Sequence, residues 1–281
     1  MFHAGVVRAL VKRFGFDVGA DAHLIGTSAG SSVAAGLRLG HSPDEILAEL
    51  DRPPSEDDMA QFRDLMDSTD RSWRPLQPAL VRELRPGGGG AGVALAGLLP
   101  PGRYPTWPLA RIAADLEGRP WPDRLWITAA DVKTGTLTVF GRDDVAATVG
   151  EAIEASSAVP GLMEPKHIAE RQYVDGGAIS PTNATLAIDA EAEFAVISSP
   201  MTRPSRRLLG RLARRRLDEE VEQLDAAGIR HVVVAPPDGT DGLFRDYPRR
   251  DRSAGRDLRI LGEAAVEVAL NSYGLAPGDL G

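Results

Sequence analysis

The chain has 281 residues, of which 43% are hydrophobic, enough for one large core or two small ones. Its formal net charge of -8 leaves no global basic field for nucleic acid, so no nucleic-acid partner is expected. The absence of cysteine excludes disulfides, thiolate zinc sites and a cysteine nucleophile, and it suits a reducing cytoplasm, the expected location.

The opening stretch MFHAGVVRALVKRFGF holds no signal-peptide core, and residues 93–99, the longest uncharged apolar run, are too few to span a bilayer. Residues 4–14 place Val6, Val7, Leu10, Val11 and Phe14 at helical spacing, and Gly15 ends that helix. His23-Leu24-Ile25 reads as a short buried strand running into Gly26-Thr27-Ser28-Ala29-Gly30. A small-residue helix follows over 31–39, closed by Gly40. Ser42-Pro43-Asp44-Glu45 is a capping box with proline in the first turn of the next helix. Residues 52–108 are rich in proline and acidic residues and contain the run Gly87-Gly88-Gly89-Gly90. They read as an irregular insertion or lid over one face.

A strand is predicted over 125–130, with a hairpin partner over 136–140 turning near Thr134-Gly135. A helix over 149–157 is stopped by Pro160-Gly161, and a short strand over 172–174 ends in Asp175-Gly176-Gly177. Two more buried strands, 194–198 and 231–235, flank a long helix over 208–227 that Gly228 caps, and a last helix covers 253–273. Strands alternating with helices predict a layered α/β fold over 1–281, with a mostly parallel central sheet flanked by helices and a C-terminal helical part over 200–281.

Gly26-Thr27-Ser28-Ala29-Gly30 fits G-x-S-x-G between a strand and a helix. A serine at such a sharp turn is pushed out of the sheet, and the flanking glycines remove side chains that would clash there. The following helix aims its free N–H groups and positive dipole end at the hydroxyl, so an oxyanion formed there is stabilised. Three other readings compete: a plain tight turn, a phosphate site at a helix N-terminus, and the elbow of an α/β-hydrolase. No lysine follows Gly30, against a P-loop, and Ser28 has almost no sheet ahead of it, against an α/β-hydrolase.

The partner base has few candidates. His3, His23, His41, His167 and His231 are all placed away from a loop after a final strand, where a triad histidine belongs. Asp175 ends a short strand, and Gly176 and Gly177 let the backbone turn and leave room beside its carboxylate. A bare aspartate, with a pKa near ~3.9, is a weak base and needs a low-dielectric pocket. An ordinary Asp-Gly turn remains the alternative.

These motifs resemble the patatin-like phospholipase family, which pairs a G-x-S-x-G serine with the aspartate of a D-G-G/A motif and uses no histidine. Glu154-Ala155-Ser156-Ser157-Ala158-Val159-Pro160-Gly161 resembles the family's A-S-x-A-x-P block. Ala129-Ala130-Asp131-Val132-Lys133-Thr134-Gly135 resembles its strand and hairpin turn, and Tyr173-Val174-Asp175-Gly176-Gly177 with Pro181-Thr182-Asn183-Ala184 resembles its aspartate block. The resemblance implies a lipid acyl hydrolase working through a Ser28–Asp175 dyad and an acyl-enzyme, with no cofactor or metal. Gly26, Ala29, Gly30, Gly176 and Gly177 would surround the substrate. Thioester hydrolysis and acyl transfer stay open. Family members begin with a strand and a glycine-rich oxyanion loop, whereas this chain opens with Met1-Phe2-His3-Ala4-Gly5. Further residues ahead of Met1 are therefore expected in the functional protein. Without them, the alternative is a catalytically silent relative that binds lipid or a partner.

Residues 203–216 carry Arg203, Arg206, Arg207, Arg211, Arg214, Arg215 and Arg216 beside Leu208, Leu209, Leu212 and Leu217. That pattern suits peripheral contact with an anionic membrane. A solvated outer helix pairing with Asp218, Glu219, Glu220 and Glu222 is the favoured reading. Trp73, Trp107, Trp121 and Trp126 flank the irregular region and are read as core, with an acyl-chain groove as the alternative.

Overall fold

The computed structural model describes residues 1–15, 17–52, 111–116, 118–202, 208–237, 240 and 252–273, together with 55–57, 60, 99, 102, 104 and 106. Most of the expected insertion over 52–108, the run Gly87-Gly88-Gly89-Gly90, Trp73, Trp107, Arg203, Arg206 and Arg207 lie outside the described residues. The helices are α1 (Phe2–Phe14), α2 (Val18–Asp21), α3 (Ala29–Arg38), α4 (Pro43–Asp51), α5 (Val149–Ser156), α6 (Leu186–Asp189), α7 (Leu208–Ala226) and α8 (Arg252–Tyr273). The strands are β1 (Leu24–Thr27), β2 (Leu125–Asp131), β3 (Leu137–Phe140), β4 (Lys166–Ile168), β5 (Arg171–Asp175), β6 (Phe194–Ser198) and β7 (Arg230–Val234). Among the described residues, no helix is long and apolar enough to cross a membrane.

The fold is α/β, with a mixed sheet and flanking helices. Parallel pairing joins β1 to β2 and β6 to β7, where long connections carrying helices intervene. Antiparallel pairing joins β2 to β3 and β4 to β5, where the connections are short, and also β2 to β5. The turn between β2 and β3 is built on Asp131, whose Oδ1 accepts the N–H groups of Lys133 and Thr134 at 2.8 and 2.9 Å. Gly135 completes it at φ 72°. β4 occupies a stretch with no strand signal in the sequence, and His167 lies on it.

The chain divides into two compact units. One comprises Met1–Ala22, Gly40–Asp51 and Pro181–Gly281, and the other His23–Leu39 and Arg52–Ser180. In the first unit, Phe2, Val6 and Leu10 of α1 pack with Val266 and Leu270 of α8 and Val232 and Val234 of β7. The two helices touch through glycine. A Cβ on Gly5 would lie 2.3 Å from the Arg259 carbonyl oxygen, and one on Gly262 would lie 2.4 Å from that of Phe2. Gly15 ends α1 at φ 75°, its N–H bonded to the Val11 carbonyl, as the sequence predicts. The predicted box heads α4: Glu45 N–H donates to Ser42 Oγ at 3.2 Å, and Ser42 N–H donates to Glu45 Oε2 at 2.7 Å. On α7, Arg214 pairs with Asp218 at 2.9 Å and Arg215 with Glu219 at 3.1 Å, the i,i+4 pairs of a solvated helix face. Glu220 differs from its charged neighbours. It is 1% exposed and accepts hydrogen bonds from the Thr182 hydroxyl and the Ala184 N–H.

The second unit carries the five-stranded sheet, with strand order β1-β2-β5-β4 and β3 paired to β2. Its interior is built from Leu125, Ile127, Phe140, Ile153 and Tyr173, with the Phe140 and Tyr173 rings packed edge to face at 5.3 Å. Helix α3 packs on β1, and α5 packs on β2 and β5. α5 begins in a capping box in which the Thr148 side chain accepts the Glu151 N–H and the Glu151 side chain accepts the Thr148 N–H. Trp121 is half-buried and donates its indole N–H to the Leu125 carbonyl at 2.7 Å, while Trp126 packs edge-on against His23. These contacts fit the packing role expected of both.

Candidate active site

Strand β2 is the ruler of the site. Along one edge of β2, Thr27 of β1 lies opposite Thr128 and Asp175 of β5 lies opposite Ala129, the next register position, while β3 pairs along the other edge. Ser28 follows β1 directly and Asp175 is the last residue of β5; the first strand runs parallel to β2 and the second antiparallel, so their C-terminal ends meet beside the middle of β2. The local chemistry then turns them toward each other. Thr128 lies beneath, its Oγ1 2.8 Å from Thr27 Oγ1. The backbone beyond Asp175 rests on it, so a Cβ on Gly176 would stand 2.6 Å from Thr128 Oγ1.

Ser28 occupies the N-cap position of α3 but does not behave as a capping serine. Such a serine normally has extended dihedrals and accepts an N–H from the helix's first turn. Ser28 has φ 53° and ψ -127°, and its side chain makes no capping hydrogen bond. That backbone region is close to glycine-only, and holding a side chain there costs on the order of 1–3 kcal/mol. Surrounding hydrogen bonds secure it. Ser28 N–H donates to Ser156 Oγ at 2.8 Å. The Ser28 carbonyl accepts the Ser31 N–H at 2.9 Å and the Ser31 hydroxyl at 2.6 Å. The Ser28 hydroxyl is thereby left free to hydrogen-bond the Asp175 carboxylate.

Asp175 is 5% exposed. Its Oδ1 accepts the Gly177 N–H at 2.7 Å, the start of a 3₁₀ turn over Gly176–Ala178, and its own N–H donates to the Ala158 carbonyl at 3.0 Å. Burial pushes its pKa up to about 6, against the downward pull of the hydrogen bonds from Ser28 and Gly177. A carboxylate titrating there is a better match to a general base at neutral pH than an ordinary aspartate. Ala29 and Gly30 open α3, where helical N–H groups have no intrahelical partner and the dipole's positive end faces outward. Gly26 is pressed under that first turn, with the Ser31 Cα 2.5 Å from where its Cβ would be.

All seven expected site residues thus fall in one unit, beside the middle of β2. The unit's two histidines are engaged elsewhere. His23 packs against Trp126, with ring centroids 4.2 Å apart, and His167 pairs with Gln172 at 2.8 Å. In the other unit, His3 Nδ1 lies 2.8 Å from Ser198 Oγ, and burial pushes its pKa down to about 3. Among the described residues, no group of three His, Asp or Glu side chains converges on a metal site. Four contributors carry no mark in the sequence: Ser31, Thr128, Ser156 and the Ala158 carbonyl. Ser156 and Ala158 lay in a recognised block, but nothing local marks either as a contact of residues so distant in the chain.

A family model described as Patatin-like phospholipase matches residues 1–188, a span that includes Ser28 and Asp175. No curated protein matches the chain.

Proposed function

The chain belongs to the patatin-like phospholipase family, and on that premise we propose that it cleaves fatty acyl esters with Ser28 as nucleophile and Asp175 as base. Membership supports lipid acyl hydrolysis in general; the dyad, the acyl-enzyme and a phospholipid or related lipid ester as substrate are our reading. The observation that carries it is the convergence of the strained, uncapping Ser28 and the buried Asp175 carboxylate beside adjacent positions of β2, where the Ser28 hydroxyl pulls the Asp175 pKa down.

In this mechanism Ser28 Oγ attacks the ester carbonyl carbon while its proton passes to Asp175. The negative oxygen of the tetrahedral intermediate lies against the first N–H groups of α3, with Ala29 as the nearest donor by position. As the intermediate collapses, the carbon–oxygen bond to the alcohol breaks and Asp175 protonates the leaving oxygen. The acyl group remains as an ester on Ser28. Water then attacks this ester and gives its proton to Asp175, and the fatty acid departs as the proton returns to Ser28. A phosphate at the same turn is disfavoured, because the Asp175 charge faces it.

A fluorophosphonate probe tests the nucleophile. Covalent labelling mapped to Ser28, and absent in Ser28→Ala, is expected; no labelling would leave only a silent or ligand-binding relative.

The pH profile tests the base. Asp175 accepts a proton only when ionised, so kcat/KM is expected to fall tenfold per pH unit as the pH drops below about 6. An aspartate with the ordinary value of 3.8 would sustain the rate to about pH 4. A limb at that lower pH would contradict a desolvated base.

A further inference from the structure

We propose that Ser156 is a positioning residue that holds Ser28 in its strained conformation and so aims the hydroxyl at Asp175. The inference rests on Ser28 being the nucleophile. Two peptide planes meet at the Ser28 Cα, and their orientations are φ and ψ. The plane after Ser28 is held through its carbonyl by the Ser31 N–H and hydroxyl, at 2.9 and 2.6 Å. The plane before it is held through the Ser28 N–H by Ser156 Oγ at 2.8 Å. Ser31 belongs to the helix that Ser28 begins and travels with it. Ser156 is the last residue of α5, 128 positions away, and ties the turn to a separate element.

The same short stretch also holds the base. Two residues beyond Ser156, the Ala158 carbonyl accepts the Asp175 N–H at 3.0 Å. The end of α5 therefore contacts the backbone of both reactive residues and sets the spacing between them. Ser156 is 0% exposed, so water cannot readily replace its hydroxyl. Once that oxygen is removed, the Ser28 N–H is left without its partner, and the φ of 53° loses its outside restraint. Relaxation toward an ordinary N-cap geometry then swings the hydroxyl away from Asp175.

Ser157 supplies the control. It is 3% exposed, and its hydroxyl has no hydrogen-bond partner among the described residues. Ser157→Ala removes the same group from a neighbouring buried position without removing a hydrogen bond to Ser28.

The experiment compares Ser156→Ala, Ser157→Ala and Ser28→Ala in hydrolysis of a p-nitrophenyl acyl ester, with melting temperatures measured alongside. Ser156→Ala is expected to lower kcat by roughly ten- to a hundredfold with KM nearly unchanged, the signature of misplacement rather than lost binding. Its acid limb is expected to move above that of wild type, because Asp175 loses the Ser28 hydrogen bond that lowers its pKa. Ser157→Ala is expected to keep wild-type kcat. If Ser156→Ala melts below the assay temperature, Ser156→Cys makes the same comparison, since its similar size preserves packing while its sulfur is a weak acceptor. Wild-type kcat in a folded Ser156 variant, or equal losses at Ser156 and Ser157, overturns the proposal. Activity surviving in Ser28→Ala would instead overturn the nucleophile itself.

Discussion

Ser28→Ala and Asp175→Asn are each expected to lower hydrolysis of a p-nitrophenyl acyl ester by roughly 10,000-fold or more while the protein stays folded. Members of a nucleophile–base unit act together, so losing either removes nearly the whole effect. The two variants should part company in stability. Between pH 3.8 and about 6 the folded protein holds a proton on Asp175 that the unfolded chain has released. That contribution to stability is present at low pH and is lost as the pH rises through about 6. Above it, the buried charge costs about 1.4 kcal/mol for each pH unit by which the pKa is raised. Asparagine carries no charge at any of these pH values and keeps an oxygen for the Gly177 N–H. Asp175→Asn should therefore melt at or above wild type at pH 8, and the difference should shrink as the pH falls below 6. Most of the activity surviving in either variant would sink the pairing. A clearly lower melting temperature for Asp175→Asn at pH 8 would contradict the account of its burial.

What could be read in the sequence was what local chemistry writes there. Gly15 and the Ser42 box mark helix ends because caps are satisfied within a few residues of themselves. The turn around Ser28 was legible because a strand, two glycines and a small-residue helix must follow one another in order. Asp175 was legible as a strand end beside two glycines, but its burial, on which the proposed role as base rests, depends on packing assembled from distant segments. Strand β4 escaped notice because three residues, Lys166, His167 and Ile168, give no periodicity. Glu220 sits in a run of charges whose pattern predicts a solvated face, yet it is buried and accepts from Thr182 and Ala184. Ser156 shows the same limit at the site itself. A serine at a helix end looks like any other until a strand 128 residues earlier places an N–H against it.

Gly26→Ala is expected to cost both stability and nearly all activity, because one methyl group would collide with the backbone that carries Ser28, the proposed nucleophile. Its Cβ would lie 2.5 Å from the Ser31 Cα and 2.9 Å from both the Gly30 oxygen and the Ser31 nitrogen. None of these atoms can rotate aside, so the end of β1 and the first turn of α3 must separate. Overpacking of this kind costs about 1–3 kcal/mol. The shift would also pull Ser31 from the Ser28 carbonyl, one of the restraints on the Ser28 turn. A displacement of about 1 Å at a reacting group is enough for a hundredfold loss in rate. Gly177→Ala should be milder in stability, since its Cβ would meet only the Asp175 carboxyl group, with Oδ1 at 3.0 Å and Cγ at 3.7 Å. Gly40→Ala separates strain from misplacement. Gly40 sits at φ 84° with nothing within 4 Å of a Cβ, so alanine there costs about 1–2 kcal/mol through backbone conformation alone. Gly26→Ala and Gly40→Ala should thus lower the melting temperature by comparable amounts, while only Gly26→Ala loses kcat. Equal kcat in the two would mean that the contact between Gly26 and the α3 turn does not hold the nucleophile in place.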